Sequence, residues 1–206
     1  IFRKEQHFFS WYGFFFRKML SRFTWFYVQD ENSAVLLKGI GLNNVTVAGD
    51  TRFDRVVEIT KSAKDIPVIE KFRSGEKLFL AGSSWKPDEE IIAAYINKYP
   101  GKMKWVFAPH EINRENIDRL EALFSVGSAR YSEFKESDSG ARVLIIDNIG
   151  MLSSAYRYAS IAEVGGGFGK GIHNILEPAC WGIPVLFGPK YRKFREAVEL
   201  REAGGA

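Results

Sequence analysis

Residues 159–182, ASIAEVGGGFGKGIHNILEPACWG, join a short apolar segment to a run of glycines and then to a helix-forming segment. The apolar residues up to Val164 predict a buried strand, and the glycines that follow prevent its regular continuation. A helix is predicted from Asn174 to Trp181. The N–H groups of a first helical turn are unpaired and lie at the positive end of the helix dipole. This strand, loop and helix therefore predict an anion site, which the glycines allow a phosphate to approach closely.

Glu177 has two interpretations that spacing alone does not separate. Asn174 and Glu177 stand three residues apart, as in a capping box, or Glu177 is itself the N-cap before Pro178. Alternatively, a carboxylate beside a phosphate site accepts both hydroxyls of a ribose. A lone histidine beside a helix cap, such as His173, more often makes a local hydrogen bond than takes part in catalysis.

Composition narrows the class of protein and of partner. Of the 206 residues, 46% are hydrophobic and 26% charged, a composition typical of a soluble globular protein. A chain of this length can bury one large hydrophobic core or contain one small domain and part of a second. The net charge of +4 and an isoelectric point of about 9.1 suit a phosphate-bearing ligand or an anionic membrane surface, but are too weak to indicate nucleic acid. Cys180 is the single cysteine, so no disulfide can form within the chain; this favours a reducing compartment, with Cys180 a small core residue.

The first 28 residues are dense in aromatic side chains interleaved with basic ones. The rings are Phe2, Phe8, Phe9, Trp11, Tyr12, Phe14, Phe15, Phe16, Phe23, Trp25, Phe26 and Tyr27. One interpretation is a helix at a membrane interface, with Arg17, Lys18 and Arg22 toward the headgroups; the other is a helix whose rings pack into a domain core. The apolar run 8–16 is far shorter than the ~20 residues of a membrane span. It also lacks the small-residue cleavage site of a signal peptide.

The remaining chain alternates predicted strands and helices. Strands are predicted at 25–29, 45–48, 77–81, 104–108, 143–146, 161–164 and 184–187. Helices are predicted at 31–38, 53–62, 67–73, 87–98, 114–124, 151–159, 174–181 and from about 193, with a hinge at 49–55. This alternation predicts an α/β fold with a doubly wound parallel sheet, whose ligands bind at the carboxyl ends of the strands.

Turn-forming residues follow each of the later strands. They are 82–84, 109–111, 147–150, the glycine loop (165–174) and 188–190. Each alone fits ordinary turn chemistry. Their convergence on one edge of the sheet predicts a binding site there.

Four motifs together resemble those of the 3-deoxy-D-manno-octulosonic acid (Kdo) transferases of Gram-negative bacteria. They are AGDTRFDRV at 48–56, LAGSSWKPDEE at 80–90, DNIGMLSSAYRYASIAEVGGGF at 147–168 and HNILEPACWGIPVLFGP at 173–189. The resemblance runs across nearly the whole chain. The glutamate–proline pair alone would indicate only the wider class of two-domain glycosyltransferases with the GT-B fold.

The resemblance implies an inverting glycosyltransferase of lipopolysaccharide biosynthesis, which moves Kdo from CMP-Kdo to a lipid A precursor. It implies a GT-B fold with Rossmann-like domains: residues 1–49 would end the N-terminal acceptor-binding domain, and 50–206 would form the C-terminal CMP-Kdo-binding domain without its last helix. The family's base would lie upstream of this sequence, so we expect the chain alone to be inactive. The implied place is the cytoplasmic face of the inner membrane, with the N-terminal domain on the membrane surface. We expect no metal, no cofactor and no nucleic acid partner.

The resemblance also implies roles for residues of this chain. Glu177 would hold the CMP ribose, and the turn of Ile149, Gly150 and Met151 would meet cytosine through backbone groups. Ser83 and Ser84 would face the phosphate or the Kdo carboxylate. The remaining implied donor-binding residues are His110, Gly166, Gly167, Gly171, His173 and Asn174.

Two positions depart from the family pattern. Where the family has Pro-Arg-His, this chain has Ala108-Pro109-His110, so an arginine near the donor is replaced, with Lys170 or Arg52 as candidates. Where the family has Gly-Gly-His-Asn, residues 171–174 read Gly-Ile-His-Asn. Two alternatives stay open: a GT-B transferase or epimerase that uses a UDP-sugar, and a non-catalytic membrane-binding module built on the aromatic N-terminus.

Overall fold

The computed structural model describes residues 1–101 and 103–206, which divide into two compact units, Ile1–Arg55 and Val56–Ala206. The division falls inside helix α3 (Thr51–Lys61), so the predicted hinge at 49–55 already contains the start of a helix. The local reason is the Asp50 carboxylate, which accepts a hydrogen bond from the Arg52 backbone N–H at 3.0 Å and opens the helix early.

The first unit is built around two short parallel strands. After a 3₁₀ turn (His7–Phe9) come helix α1 (Phe14–Leu20), strand β1 (Phe26–Val28), helix α2 (Glu31–Gly39) and strand β2 (Val45–Val47). The strands pair in parallel. The core is formed by Leu20, Phe26, Val28, Ala34 and Leu37.

The aromatic segment is helical over only part of its length. Within residues 1–28 the α-helix spans Phe14–Leu20, and it leaves large rings on the surface. Trp11 is 91% exposed, Phe14 75% and Phe15 61%. The interpretation in which the rings pack into a domain core therefore holds for Phe26, against which Phe2, Phe8 and Phe9 pack, but not for these three.

The second unit contains a six-stranded sheet, parallel throughout. Its strands are β3 (Leu78–Ser84), β4 (Lys104–Pro109), β5 (Ser128–Arg130), β6 (Val143–Ile145), β7 (Ile161–Val164) and β8 (Val185–Phe187). The order across the sheet is β5-β6-β4-β3-β7-β8. The chain fills one side of β3 first and then crosses to the other, which confirms the doubly wound fold and puts the switch point between β3 and β7.

Helices cover both faces of this sheet. They are α4 (Pro67–Arg73), α5 (Lys86–Lys98), α6 (Arg114–Glu121), α7 (Leu152–Ala155), α8 (Leu176–Ala179) and α9 (Arg195–Glu202), with 3₁₀ turns at Tyr131–Glu133, Glu136–Gly140 and Tyr156–Tyr158. Strand β4 is buried along its whole length and β3 at all but one position, as expected for central strands of a parallel sheet. The two layers of the core lie on opposite faces, one around Phe72 and Leu80, the other around Phe79 and Phe107.

Two helices are much shorter than the sequence predicts, and α6 ends at Glu121 rather than at 124. Instead of 151–159 the chain forms α7 and then a 3₁₀ turn, and instead of 174–181 it forms the single turn α8. The Asn174 Oδ1 accepts a hydrogen bond from the Leu176 N–H at 3.2 Å. This side-chain bond competes with helical backbone bonding between 174 and 176, so the helix begins only at Leu176. Beyond Ala179, the N–H groups of Trp181 and Gly182 bond three residues back, and Gly182 turns to φ +68°.

Candidate active site

The candidate site lies at the switch point, where the carboxyl ends of β3 and β7 meet. The Gly165 N–H donates to the Gly82 carbonyl at 3.0 Å. A Cβ at Gly165 would lie 2.3 Å from the Ser83 carbonyl oxygen. A Cβ at Gly167 would lie 2.5 Å from the Gly188 nitrogen. These two glycines are therefore required for the close approach of neighbouring loops, and the approach of a ligand to them stays a prediction.

Ser83 and Ser84 belong to the end of β3 rather than to a loop after it. Ser83 has φ +51°, and the pairing with β4 shifts register between Gly82 and Ser84. Ser84 is 1% exposed, and its hydroxyl donates to Glu89 Oε1 at 3.0 Å. The Ser84 hydroxyl is thus committed to a buried partner instead of facing a ligand, whereas Ser83 stays half-buried at the edge.

Asp88 joins the start of α5 to the glycine loop. Its Oδ2 accepts from the Trp85 N–H at 2.9 Å and from the Gly166 N–H at 3.0 Å. Asp88 is 2% exposed, and its Oδ1 has no hydrogen-bond partner among the described residues. In the sequence, Asp88 stands out only as part of the motif LAGSSWKPDEE; its link to Gly166 was missed because the two lie 78 positions apart.

The glycine loop is closed by its own hydrogen bonds. Backbone N–H groups that donate within the protein belong to Gly165, Gly166, Gly169, Gly171 and His173. The loop is therefore not an open anion cradle along its whole length, and α8, at one turn, has a small dipole. A phosphate bound here needs other donors as well.

One further donor comes from a cluster of three aromatic rings, those of Trp85, His110 and His173. The rings of Trp85 and His110 are stacked at 4.4 Å, and those of His110 and His173 at 4.6 Å. The Trp85 Nε1–H donates to His173 Nε2 at 2.8 Å. Burial, and then the neighbouring His110, lower the pKa of His173, while Asp88 opposes the shift. The structure thus brings the predicted residues His110 and His173 together and adds Trp85, which the sequence interpretation did not include.

The Glu177 carboxylate faces two polar side chains. Oε1 accepts from Asn174 Nδ2 and Oε2 from Ser153 Oγ, each at 3.1 Å. Helix α8 begins at Leu176, so Glu177 is not an N-cap, and the capping interpretation is wrong in that form. The bond to Asn174 joins side chain to side chain, whereas a capping box needs the Asn174 backbone N–H.

The turn at 149–151 follows β6 on the same edge. Gly150 has φ +91°, and Ile149 is 87% exposed. Met151 packs against the core. The backbone of this turn is open to a ligand on one side, and its contact with cytosine stays a prediction.

A buried acidic group behind the site was also missed. Glu163, in the middle of β7, is 6% exposed, and neither carboxylate oxygen has a partner among the described residues. Burial, with Asp88 and Glu89 nearby, raises the pKa of Glu163 to about 9. Glu89 is fully buried and paired with Arg119. The signal in the sequence was the single acid in the run IAEV, which we interpreted only as a strand.

The two candidate replacements for the family arginine differ in setting. Arg52 belongs to the first unit, and its guanidinium is bound by the Asp50 carboxylate. The hydrogen bond from Arg52 lowers the pKa of Asp50. Lys170 is exposed on the glycine loop. Of the two candidates, Lys170 is therefore the one that belongs to the second unit and to its glycine loop.

Neither a metal cluster nor a membrane span is found in the described residues. No three His, Cys, Asp or Glu side chains among them are grouped closely enough to bind a metal ion. None of the helices that they form has the length and apolar character needed to cross a bilayer.

The curated relatives of this chain share one enzymatic name. The family model described as 3-deoxy-D-manno-octulosonic-acid transferase (kdotransferase) matches residues 2–55. The 3-deoxy-D-manno-octulosonic acid transferase of Aquifex aeolicus is 30% identical over 199 residues, covering 94% of this chain and 52% of the relative. That of Chlamydophila psittaci is 31% identical over 134 residues, covering 63% of this chain and 30% of the relative. The chain thus spans about half the length of the first relative and less of the second.

Two solved structures share the fold. The C-terminal CMP-Kdo binding domain of WaaA from Acinetobacter baumannii superposes with a TM-score of 0.56 at 20% identity, covering 75% of this chain and 79% of that one. UDP-GlcNAc 2-epimerase from Neisseria meningitidis superposes with a TM-score of 0.56 at 18% identity, covering 96% of this chain and 53% of the epimerase chain. With the doubly wound sheet, these likenesses assign a GT-B-type α/β fold. By sequence, this chain is similar to 3-deoxy-D-manno-octulosonic acid transferases, over residues 2–55 in the family model and over 94% of its length in the Aquifex aeolicus relative.

Proposed function

We propose that the second unit is the donor-binding part of an inverting Kdo transferase, which moves Kdo from CMP-Kdo to a lipid A precursor. The observation that carries this proposal is the Glu177 carboxylate, held between Asn174 and Ser153 at the carboxyl edge of the sheet. A carboxylate in this place suits the two hydroxyls of a ribose. Support comes from the curated relatives and from the structure of the CMP-Kdo binding domain of WaaA from Acinetobacter baumannii.

In this proposal the chain binds and orients the donor. Glu177 accepts from the ribose, the backbone of 149–151 meets cytosine, and His173 with Lys170 approaches the phosphate. As the bond between the Kdo anomeric carbon and the phosphate oxygen breaks, negative charge grows on CMP. Donors fixed before the reaction stabilise that charge without reorganising, which is the usual source of such catalysis.

The first unit is proposed to face the acceptor at the cytoplasmic surface of the inner membrane. Its exposed rings at Trp11, Phe14 and Phe15 lie in a segment with Arg17 and Lys18, the combination that binds an anionic interface. Flotation of the whole chain with phosphatidylglycerol vesicles tests this, with phosphatidylcholine vesicles as control. Equal or absent flotation with both would refute it.

Calorimetric titration of CMP and of UMP into the purified chain tests the donor assignment. We expect saturable binding of CMP and much weaker binding of UMP, because cytosine and uracil reverse the donor and acceptor at the pyrimidine position that backbone groups would contact. A chain that binds neither CMP nor UMP would contradict the proposal.

The second candidate is an enzyme that uses a UDP-sugar. It is favoured by the superposition on UDP-GlcNAc 2-epimerase, which covers 96% of this chain. The same titration separates the two, since tighter binding of UMP and UDP-GlcNAc than of CMP would support this alternative.

A further inference from the structure

The hydrogen bond between Trp85 and His173 determines which imidazole nitrogen carries the proton. The Trp85 Nε1–H lies 2.8 Å from His173 Nε2, and an indole N–H can only donate. His173 Nε2 is therefore the acceptor. In a neutral imidazole the proton must then lie on Nδ1.

The ring of His173 is held on more than one side. His110 stacks on it at 4.6 Å and on Trp85 at 4.4 Å, and the planes of Trp85 and His173 differ by only 9°. A Cβ at Gly166 would lie 3.2 Å from His173 Cδ2, so the glycine loop closes against the carbon that adjoins Nε2. The opposite side of the ring carries Nδ1, which donates to no other described residue.

The charges around His173 favour the same state. Burial and then His110 disfavour a second proton, and Asp88 is the facing acid that opposes them; together they leave the pKa of His173 lowered. A ring in this state is a poor proton donor at neutral pH. It remains a good hydrogen-bond donor through Nδ1.

We propose that Trp85 is a positioning residue that holds His173 as the neutral Nδ1–H tautomer, with that N–H directed to the anionic group of the bound nucleotide sugar. The part concerning the nucleotide sugar rests on the proposed function. It gives His173 the task of stabilising charge on the phosphate or carboxylate and excludes it as a general acid. The glycine loop, half of whose N–H groups are already bonded within the protein, thereby gains a side-chain donor.

The tautomer can be read without any ligand. In ¹⁵N NMR of the whole chain, we expect the His173 signals of a protonated Nδ1 and an unprotonated Nε2. Trp85→Phe keeps a ring to stack on His110 but removes the indole N–H that bonds Nε2 of the neutral imidazole. In this variant we expect His173 to be a mixture of the two neutral tautomers and its pKa to be higher. A protonated Nε2 in the unaltered protein, or no change in Trp85→Phe, would overturn the proposal.

Nucleotide binding tests the second part. Trp85→Phe should weaken CMP binding about fivefold, the loss expected when one hydrogen bond of about 1 kcal/mol is no longer preorganised. His173→Asn places an amide near the Nδ1 position and should keep most of the affinity, whereas His173→Gln places it near Nε2 and should not. Equal losses in the two His173 variants would overturn this part.

Trp105→Phe serves as the matched control. It also removes an indole N–H, but the Trp105 Nε1 has no acceptor among the described residues. Its affinity for CMP should equal that of the unaltered chain. If the unaltered chain binds no CMP, the proposed function and the nucleotide part fail together, while the NMR result still decides the tautomer.

Discussion

The Asp88 carboxylate accepts a hydrogen bond from the backbone N–H of Gly166, at 3.0 Å. One oxygen of Asp88 thereby joins the first turn of α5, which follows β3, to the glycine loop, which follows β7. The same oxygen also accepts from the Trp85 N–H. The two sides of the switch point are thus tied by one buried side chain before any ligand is present.

Asp88→Ala should lower the free energy of unfolding by about 2–4 kcal/mol, because it removes a helix cap and leaves the buried Gly166 N–H unpaired. Urea unfolding followed by circular dichroism measures the change. The control is Asp138→Ala, since Asp138 caps the Lys135 N–H at 2.8 Å in an exposed 3₁₀ turn. We expect a loss of only about 0.5–1 kcal/mol there. Equal losses would mean that the bond to Gly166 contributes nothing.

Gly165→Ala tests whether the glycines serve packing. Its Cβ would lie 2.3 Å from the Ser83 carbonyl oxygen, so β3 and β7 would have to separate. We expect a loss of about 1–3 kcal/mol in the free energy of unfolding, as for other overpacked sites. Gly140→Ala, which meets nothing within 4 Å, should change it by less than about 0.5 kcal/mol. A stable Gly165→Ala variant that fails to bind CMP would instead support the interpretation that the glycine makes room for a ligand.

Local signals were enough to predict much of the fold. Helix α4 begins at Pro67 and ends before Ser74, which has φ +49°, and its predicted bounds match the structure. Proline at a first helical position and a left-handed residue after the last turn act within a few residues, so a sequence reveals them. Strand β5 was missed because Ser128, Ala129 and Arg130 have no apolar alternation, and they form a strand only because β6 lies beside them.

The site was predicted by position but not by contact. The edge of the sheet follows from the strand order, so His110, His173 and Glu177 could be placed there from the sequence. The partner of His173 lies 88 positions away, and nothing near Trp85 in the sequence indicates that bond. Contacts of this kind depend on the packing of loops, which no local pattern determines.

Glu177→Ala should weaken CMP binding by about 1.5–3 kcal/mol, which is ~10- to 150-fold, because hydrogen bonds from the ribose to a charged acceptor are lost. The fold should survive, since Glu177 is not the cap of α8. Calorimetric titration and the melting temperature are measured together. Glu202→Ala, which removes an exposed acid at the end of α9, controls for net charge. A collapse of the melting temperature with unchanged affinity would show that Glu177 acts on the fold alone.

Glu163 makes stability depend on pH. Its pKa is raised from 4.5 in a free side chain to about 9 in the fold, where Asp88 and Glu89 lie near it. Between these values the folded state binds the proton more tightly than the unfolded state does. The free energy of unfolding that Glu163 contributes therefore falls as the pH rises from 4.5 to about 9, where the loss levels off.

Glu163→Gln replaces the protonated acid by an uncharged group of the same shape. At about pH 5 the variant and the unaltered protein should have nearly equal melting temperatures, since both carry a neutral side chain on β7. At about pH 8.5 the variant should be more stable by about 1–3 kcal/mol, because holding a neutral carboxyl there costs free energy that an amide does not require. The control is Glu90→Gln on the exposed side of α5, whose difference from the unaltered protein should not change across this range. A constant difference for Glu163→Gln as well would show that the carboxyl is ionised in the fold, and that it has found a compensating charge.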